Sequence, residues 1–224
     1  MDASFTVFII DDELPARRGL QRLLLAAGYQ AEIFANAGEF LTAHDPAELG
    51  CVIVDLAMPE VDGLELQQTL TAAGANRPII FVTGRRDIPA TVRAMKAGAI
   101  DFLTKPVDAE ALLTAVKRAK ALDAERRRAR AEMEAARALV ARLSPREREV
   151  LRHVVAGRLN KQIAADLGTV EKTIKVHRGR MMQKLEIRTV QDLMRFAERA
   201  GMAQAPHPGS GAGSAIDTGH GREG

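Results

Sequence analysis

Short apolar runs alternate with stretches of helical periodicity through the first half of the chain. Phe5 to Ile10 is followed by Leu14 to Ala27, Ala31 to Phe34 by Gly38 to Ala43, and Cys51 to Asp55 by Leu64 to Ala73. The alternation continues with Pro78 to Val82 and then Ile88 to Ala97, and with Ile100 to Leu103 and then Ala109 onward. Short, continuously apolar runs suit strands buried on both faces, and a helix after each strand marks a βα unit. Five such units predict an α/β, doubly wound fold whose parallel sheet is covered on both sides. Gly28, Gly74 and Gly98 fall where three of the helices should stop.

From Asp108 the pattern becomes a helix that does not stop, LLTAVKRAKALDAERRRARAEMEAARALVARL. Leu112, Leu113, Val116 and Ala119 keep core spacing, but between Asp123 and Arg130 the apolar stripe gives way to charge and alanine. This predicts a fifth helix of a first domain running on into a solvated, stiff linker helix. A dimeric coiled coil is the alternative, weakened because Arg126, Arg127 and Arg128 interrupt any a/d seam. Ser144-Pro145-Arg146-Glu147 is a helix start, with an N-cap, a proline in the first turn and a capping-box glutamate. Helices of about 10 to 16 residues are expected after it, broken at Gly157, at Gly168 and near Ile187-Arg188. The tail after Met202 is rich in Gly, Ala, Ser and Pro and cannot bury a core. The expected division is 1–122, a linker 123–142, a second domain 143–202 and a disordered tail 203–224.

Charge separates the two halves. Residues 1–122 carry 12 basic against 16 acidic side chains, net −4, while residues 123–202 carry 19 against 11, net +8. The basic half is expected to meet a polyanion, nucleic acid or an anionic surface. One cysteine excludes an intramolecular disulfide, and Cys51 opens an apolar run as a core residue would. There is no apolar run of membrane-spanning length, and MDASFTVFIIDD lacks the basic start of a signal peptide, so a cytoplasmic protein without a membrane partner is expected. His207 and His220 are isolated in the tail and are not read as metal ligands.

In an open parallel sheet, ligands bind outside the carboxyl ends of the strands. Those ends carry Asp11 and Asp12 after the first strand, Asp55 after the third, Thr83 after the fourth and Lys105 after the fifth. Three carboxylates at one edge repel unless a cation sits among them. Mg²⁺ suits the task, since it takes one or two carboxylates and phosphate oxygens together. Asp55 can then act as a carboxylate nucleophile that forms an acyl phosphate, with Lys105 neutralising the phosphoryl group and Thr83 bonding one of its oxygens.

Asp11-Asp12, Asp55 with Met58-Pro59 and Asp62-Gly63, Thr83-Gly84 and Lys105-Pro106 together resemble the receiver domain of bacterial response regulators, over residues 4 to about 121. The resemblance implies a flavodoxin-like (βα)5 fold and Asp55 as phospho-acceptor. It implies Asp12, Asp55 and the backbone carbonyl of Ala57 as Mg²⁺ ligands, with Asp11 acting largely through water. It further implies a switch in which Thr83 moves toward the phosphoryl group and Phe102 turns inward, and a cis peptide before Pro106. Phe102 also reads as ordinary core and Thr83 as a strand-end cap. Asp62-Gly63 is better explained as a turn and helix start. In this family the residues two positions after Asp55 and Thr83, here Ala57 and Arg85, influence how water reaches the acyl phosphate.

In the basic half, LNKQIA, LG and KTIKVHR read as two short helices around a tight turn. Ile174, Met181 and Leu185 share one face with His177 beside them, and the other side presents basic residues. An apolar back and a basic front suit the major groove. Residues 143–197 resemble the LuxR-type helix-turn-helix of the NarL and FixJ response regulators, and the whole chain is most similar to the FixJ branch. The resemblance places Lys175, Val176 and Gly179 toward bases, and Asn160, Lys161, Thr173, His177, Arg178 and Lys184 toward the DNA backbone. His177 has a second reading as a packing residue. Two departures stand out: Thr169-Val170 replaces a frequent Ile-Ser, which moves or weakens the N-cap, and Gly179 removes a side chain from a base-facing position.

These features point to a DNA-binding transcriptional response regulator without separate enzymatic turnover. A sensor histidine kinase would phosphorylate Asp55, a rearranged surface on Ile88 to Leu103 would form a receiver homodimer, and the dimer would bind double-stranded promoter DNA, with RNA polymerase a further candidate partner. Two rivals are a phosphorylation-independent regulator with a receiver-like domain and a small flavodoxin-like enzyme. The intact acidic set argues against the first, and the lack of a glycine-rich phosphate loop after strand one against the second.

Overall fold

The computed structural model describes residues 5–202, except 60, 76 and 85–87. Arg85 and the tail, with His207 and His220, lie outside the described residues. The chain divides into two compact units, residues 1–127 and 128–224.

In the first unit β1 (Thr6–Ile10), α1 (Leu14–Ala26), β2 (Gln30–Phe34), α2 (Ala37–Ala43), β3 (Gly50–Asp55), α3 (Gly63–Ala72), β4 (Ile79–Thr83), α4 (Ile88–Lys96) and β5 (Asp101–Thr104) alternate as the periodicity predicts. The last element, α5, spans Ala109–Ala141 and crosses into the second unit. The sheet has the order β2-β1-β3-β4-β5 and every pairing is parallel. This is the flavodoxin-like order, whose winding reverses between β1 and β3.

The strands are apolar throughout because they feed two cores. Val7, Ile9, Cys51, Ile53, Ile80 and Val82 pack with Leu20 and Leu24 of α1 and with Leu112, Ala115, Val116 and Ala119 of α5. Their neighbours Phe8, Ile10, Val52, Val54, Ile79 and Phe81 pack with Phe40 of α2, Leu66 and Leu70 of α3, and Ala90 and Ala94 of α4. Each such large side chain contributes about 1.5–3 kcal/mol on burial. Asp62 caps α3 in a full capping box with Glu65, as the turn-and-helix-start reading predicts.

The second unit holds α6 (Pro145–Val155), α7 (Asn160–Asp166), α8 (Glu171–Lys184) and α9 (Val190–Arg199). Ser144 caps α6 with Glu147 in the capping box, as expected. Val150, Leu151, Ile163, Ile174, Met181, Leu193 and Phe196 form its core. At seven residues α7 is shorter than expected, since Gly157 and Gly168, both with positive φ, leave little chain between them. The break before α9 turns on Glu186, at φ 59°, rather than on a glycine.

The charged middle of α5 is less solvated than its composition suggests. Asp123 is buried and accepts hydrogen bonds from the Gly50 amide (3.3 Å) and from Arg127 Nε (3.1 Å). Arg127 Nη1 donates to the Ala47 carbonyl at 2.7 Å, and Nη2 to that of Glu48. Further along, Ala136, Leu139 and Val140 pack into the core of the second unit.

Candidate functional site

The reversal of winding between β1 and β3 opens a crevice at the carboxyl edge of the sheet. β1 delivers the buried Asp11 and the exposed Asp12, and β3 ends on the buried Asp55. Each of the three offers a carboxylate oxygen, all within 4.8 Å of one another. β4 ends on the buried Thr83, whose carbonyl accepts from the Lys105 amide at 2.8 Å. β5 leads into Lys105, and the Lys105–Pro106 peptide is cis, as the resemblance implies.

Lys105 Nζ lies 2.6 Å from Asp55 Oδ2, 2.8 Å from Asp11 Oδ2 and 3.9 Å from Glu13 Oε2. Burial alone would lower the pKa of the ammonium, but the hydrogen bonds and charges of Asp11 and Asp55 outweigh it and hold the pKa above the ordinary lysine value. Asp55 Oδ1 accepts from the Ala57 amide at 3.1 Å. One ammonium against three carboxylates leaves negative charge uncompensated. Hard oxygen donors with a charge deficit suit Mg²⁺, so the residues present fit that ion.

Two residues at this edge were not singled out by their chemistry. Gly63 lies so close beneath the site that a Cβ there would meet the Asp55 carbonyl oxygen at 2.7 Å. Arg17 Nη1 donates to the backbone carbonyls of Asp11 (2.9 Å) and Asp12 (3.1 Å). A signal for Arg17 did exist: a cation in the first turn of a helix opposes the helix dipole and needs another reason to be there. Phe102 is half-buried, packs against the Phe8 core and lies 6.4 Å from the Phe81 ring.

In the second unit, α8 buries Ile174 and Met181, with Leu185 just past its end buried too, and it exposes Lys175, Val176 and Gly179. Thr173, His177 and Arg178 are half-buried beside them. On α7, Lys161 is exposed, and the half-buried Asn160 accepts from Arg178 Nη1 at 3.0 Å, which couples the two helices. Lys175 Nζ pairs with Glu171 at 3.4 Å. Val170 is the N-cap of α8 and supplies no side-chain hydrogen bond, the weakened cap that Thr169-Val170 implies. Lys184 donates to the buried Glu147 at 2.7 Å, so its charge is engaged within the unit. Burial pushes the Glu147 carboxyl up, yet Lys184 and Ser144 together hold its pKa below the ordinary glutamate value.

Residues 7–117 match the family described as the response regulator receiver domain, and residues 141–197 match the luxR family of bacterial regulatory proteins. The chain is 41% identical over 197 residues to Nodulation protein W of Bradyrhizobium diazoefficiens, covering 88% of this chain and 87% of that one. It is 40% identical over 205 residues to the transcriptional regulatory protein FixJ of Azorhizobium caulinodans, covering 92% and 97%. Among solved structures, the response regulator StyR is similar at a TM-score of 0.73 and 46% identity, over 88% of this chain and all of that one.

Proposed function

The chain belongs to the two-component response regulators that join a receiver domain to a LuxR-type DNA-binding domain, and on that premise we propose that Asp55 is its phospho-acceptor and a receiver dimer its DNA-binding form. As a member it is a DNA-binding transcription regulator, and no helix among the described residues is long and apolar enough to cross a membrane. The observation that carries the proposal is the contact of Lys105 Nζ with Asp55 Oδ2 at 2.6 Å, with Asp11 and Asp12 alongside.

In the step we infer, an Asp55 carboxylate oxygen attacks the phosphorus of a phosphohistidine on the kinase. The O–P bond forms as the P–N bond breaks, and the imidazole nitrogen leaves with the electron pair. Lys105, already against Asp55, neutralises the incoming phosphoryl oxygens, and the Thr83 hydroxyl donates to one of them. Asp11, Asp12, Asp55 and the backbone carbonyl of Ala57 would hold Mg²⁺, whose chemistry here is to offset charge on the phosphoryl group. Thr83 and Phe102, on the adjacent strands β4 and β5, transmit the change toward α4.

α4 supports the dimer reading. Ile88, Val92 and Met95 repeat at helical spacing and are all exposed, Ile88 at 74%. An apolar stripe left in water by one copy is what a second copy would cover. Joining two DNA-binding units raises their effective concentration over adjacent half-sites. Lys175, Val176 and Gly179 would then face the bases, with Asn160, Lys161, Thr173, His177 and Arg178 toward the phosphates. The coupling of Asn160 to Arg178 supports reading α7 and α8 as one binding face.

The test is light scattering of the full chain in Mg²⁺, before and after an acyl-phosphate donor or beryllofluoride. Wild type is expected to double its mass and Asp55→Asn to stay monomeric. An Asp55→Asn protein that still dimerised on phosphodonor and bound promoter DNA would overturn the reading.

A further inference from the structure

Arg17 stands at the end of the first turn of α1, where the free backbone N–H groups gather positive charge and a cation is disfavoured. Its position is explained by the loop before the helix rather than by the helix. A single nitrogen, Nη1, reaches the carbonyl of Asp11 at 2.9 Å and that of Asp12 at 3.1 Å. A donor that bridges two consecutive carbonyls fixes both peptide planes, and with them the directions in which the two side chains leave the backbone. Asp11 has a further restraint, because its Oδ1 accepts from the Glu13 amide at 2.8 Å and its Oδ2 faces Lys105. Asp12 is exposed, and among the described residues its carboxylate accepts no hydrogen bond. The restraint that Arg17 places on Asp12 therefore acts through its backbone and sets the direction in which the side chain leaves it.

We propose that Arg17 is a positioning residue that holds Asp11 and Asp12 in the arrangement in which they bind a divalent cation. The proposal rests on reading Asp11, Asp12 and Asp55 as the Mg²⁺ site. Two effects of removing Arg17 oppose each other. Loss of a nearby positive charge draws Mg²⁺ in more tightly, while loss of the clamp lets the carboxylates scatter and weakens binding. Groups that orient a metal's ligands without touching the metal commonly change its affinity by about 10–100-fold on removal. A single partly solvated charge is screened and does less. The clamp should therefore decide the sign.

The test is calorimetric titration of MgCl₂ into the full chain as wild type, Arg17→Ala, Arg17→Lys and Arg18→Ala, with melting temperatures recorded for each. Arg17→Ala is expected to bind Mg²⁺ about tenfold more weakly. Arg17→Lys, which keeps the charge and a donor on a side chain one atom shorter, should recover part of the loss. Arg18→Ala, which removes the same charge from the exposed neighbouring position, should match wild type. At saturating Mg²⁺ Arg18→Ala should reach the wild-type extent of acyl-phosphate labelling. Wild-type affinity in Arg17→Ala, or tighter binding, would overturn the role of Arg17 and leave the Mg²⁺ site standing. An equal loss in Arg17→Lys would reduce the residue to a structural one and also overturn it. A wild-type chain that showed no saturable Mg²⁺ binding would overturn the site and the clamp together.

Discussion

Gly63 and Gly179 occupy opposite ends of what a missing side chain can mean. At Gly63 an added Cβ would meet the Asp55 carbonyl oxygen at 2.7 Å and the Phe81 ring at 2.9 Å, so one methyl group has to push either the end of β3 or a core aromatic aside. Gly63→Ala is expected to destabilise the first unit by about 1–3 kcal/mol and to slow labelling of Asp55, both readable from one preparation by melting and by phosphodonor assay. At Gly179 a Cβ would meet nothing within 4 Å, and the residue sits inside a regular helix. Gly179→Ala is expected to stabilise the second unit by about 1 kcal/mol, the propensity difference alone. In the sequence Gly63 stands in a turn-and-helix-start pair with Asp62, and Gly179 at a position that the resemblance turns toward bases. The first was legible as a turn and the second as a cost to a helix, but closeness to a carbonyl from another element has no signature in local spacing.

α6 and α8 are joined by an ion pair between the buried Glu147 and the exposed Lys184. Glu147 serves twice, closing the capping box of α6 and receiving Lys184 from the end of α8. Because its folded-state pKa is depressed, its stabilisation is fully present above the unfolded glutamate value of about 4.3 and is lost as pH falls through the lower, folded-state value. The second unit is therefore expected to lose stability in acid, and Glu147→Gln should flatten that dependence in melting curves recorded across it. The same pair separates Lys184 from its neighbours on the basic face. Lys161→Gln should reduce the slope of log affinity against log salt by about 0.9, as for one lost phosphate contact. Lys184→Gln should instead lower the melting temperature and leave the slope unchanged. Two short helices around a turn were legible from periodicity, and their reading as a helix-turn-helix came from the resemblance to the LuxR type. The engagement of Lys184 was not, since its partner stands 37 positions earlier and looks, in sequence, like an ordinary capping glutamate.

At the scale of the molecule, the chain carries an acidic unit that receives a signal and a basic unit that meets DNA. The proposed dimer provides a test that separates signal from response. Val92→Glu places a charge in the middle of the exposed stripe on α4. It should leave phosphorylation intact while abolishing the doubling of mass seen by light scattering. The fold class and the acidic edge were legible because four of the five strands end in their own chemistry, Asp11-Asp12, Asp55, Thr83 and Lys105, and four such ends in order are hard to produce by accident. The role of α5 was harder to see. Composition marks the run around Arg127 as solvated, while its partners, the Gly50 amide and the carbonyls of Ala47 and Glu48, lie more than 70 positions away.

The anchoring of Asp123 and Arg127 bears on how modular this protein is. Regulators of this architecture invite recombination, with one sensing half grafted onto another output half at a boundary chosen from sequence. A graft that cuts where the apolar stripe of α5 ends, at Leu122, would leave the Gly50 amide and the 47–48 carbonyls facing foreign residues. A junction placed after Arg127 carries the whole fastening across intact, so chimaeras built there should keep their receiver while exchanging their promoter.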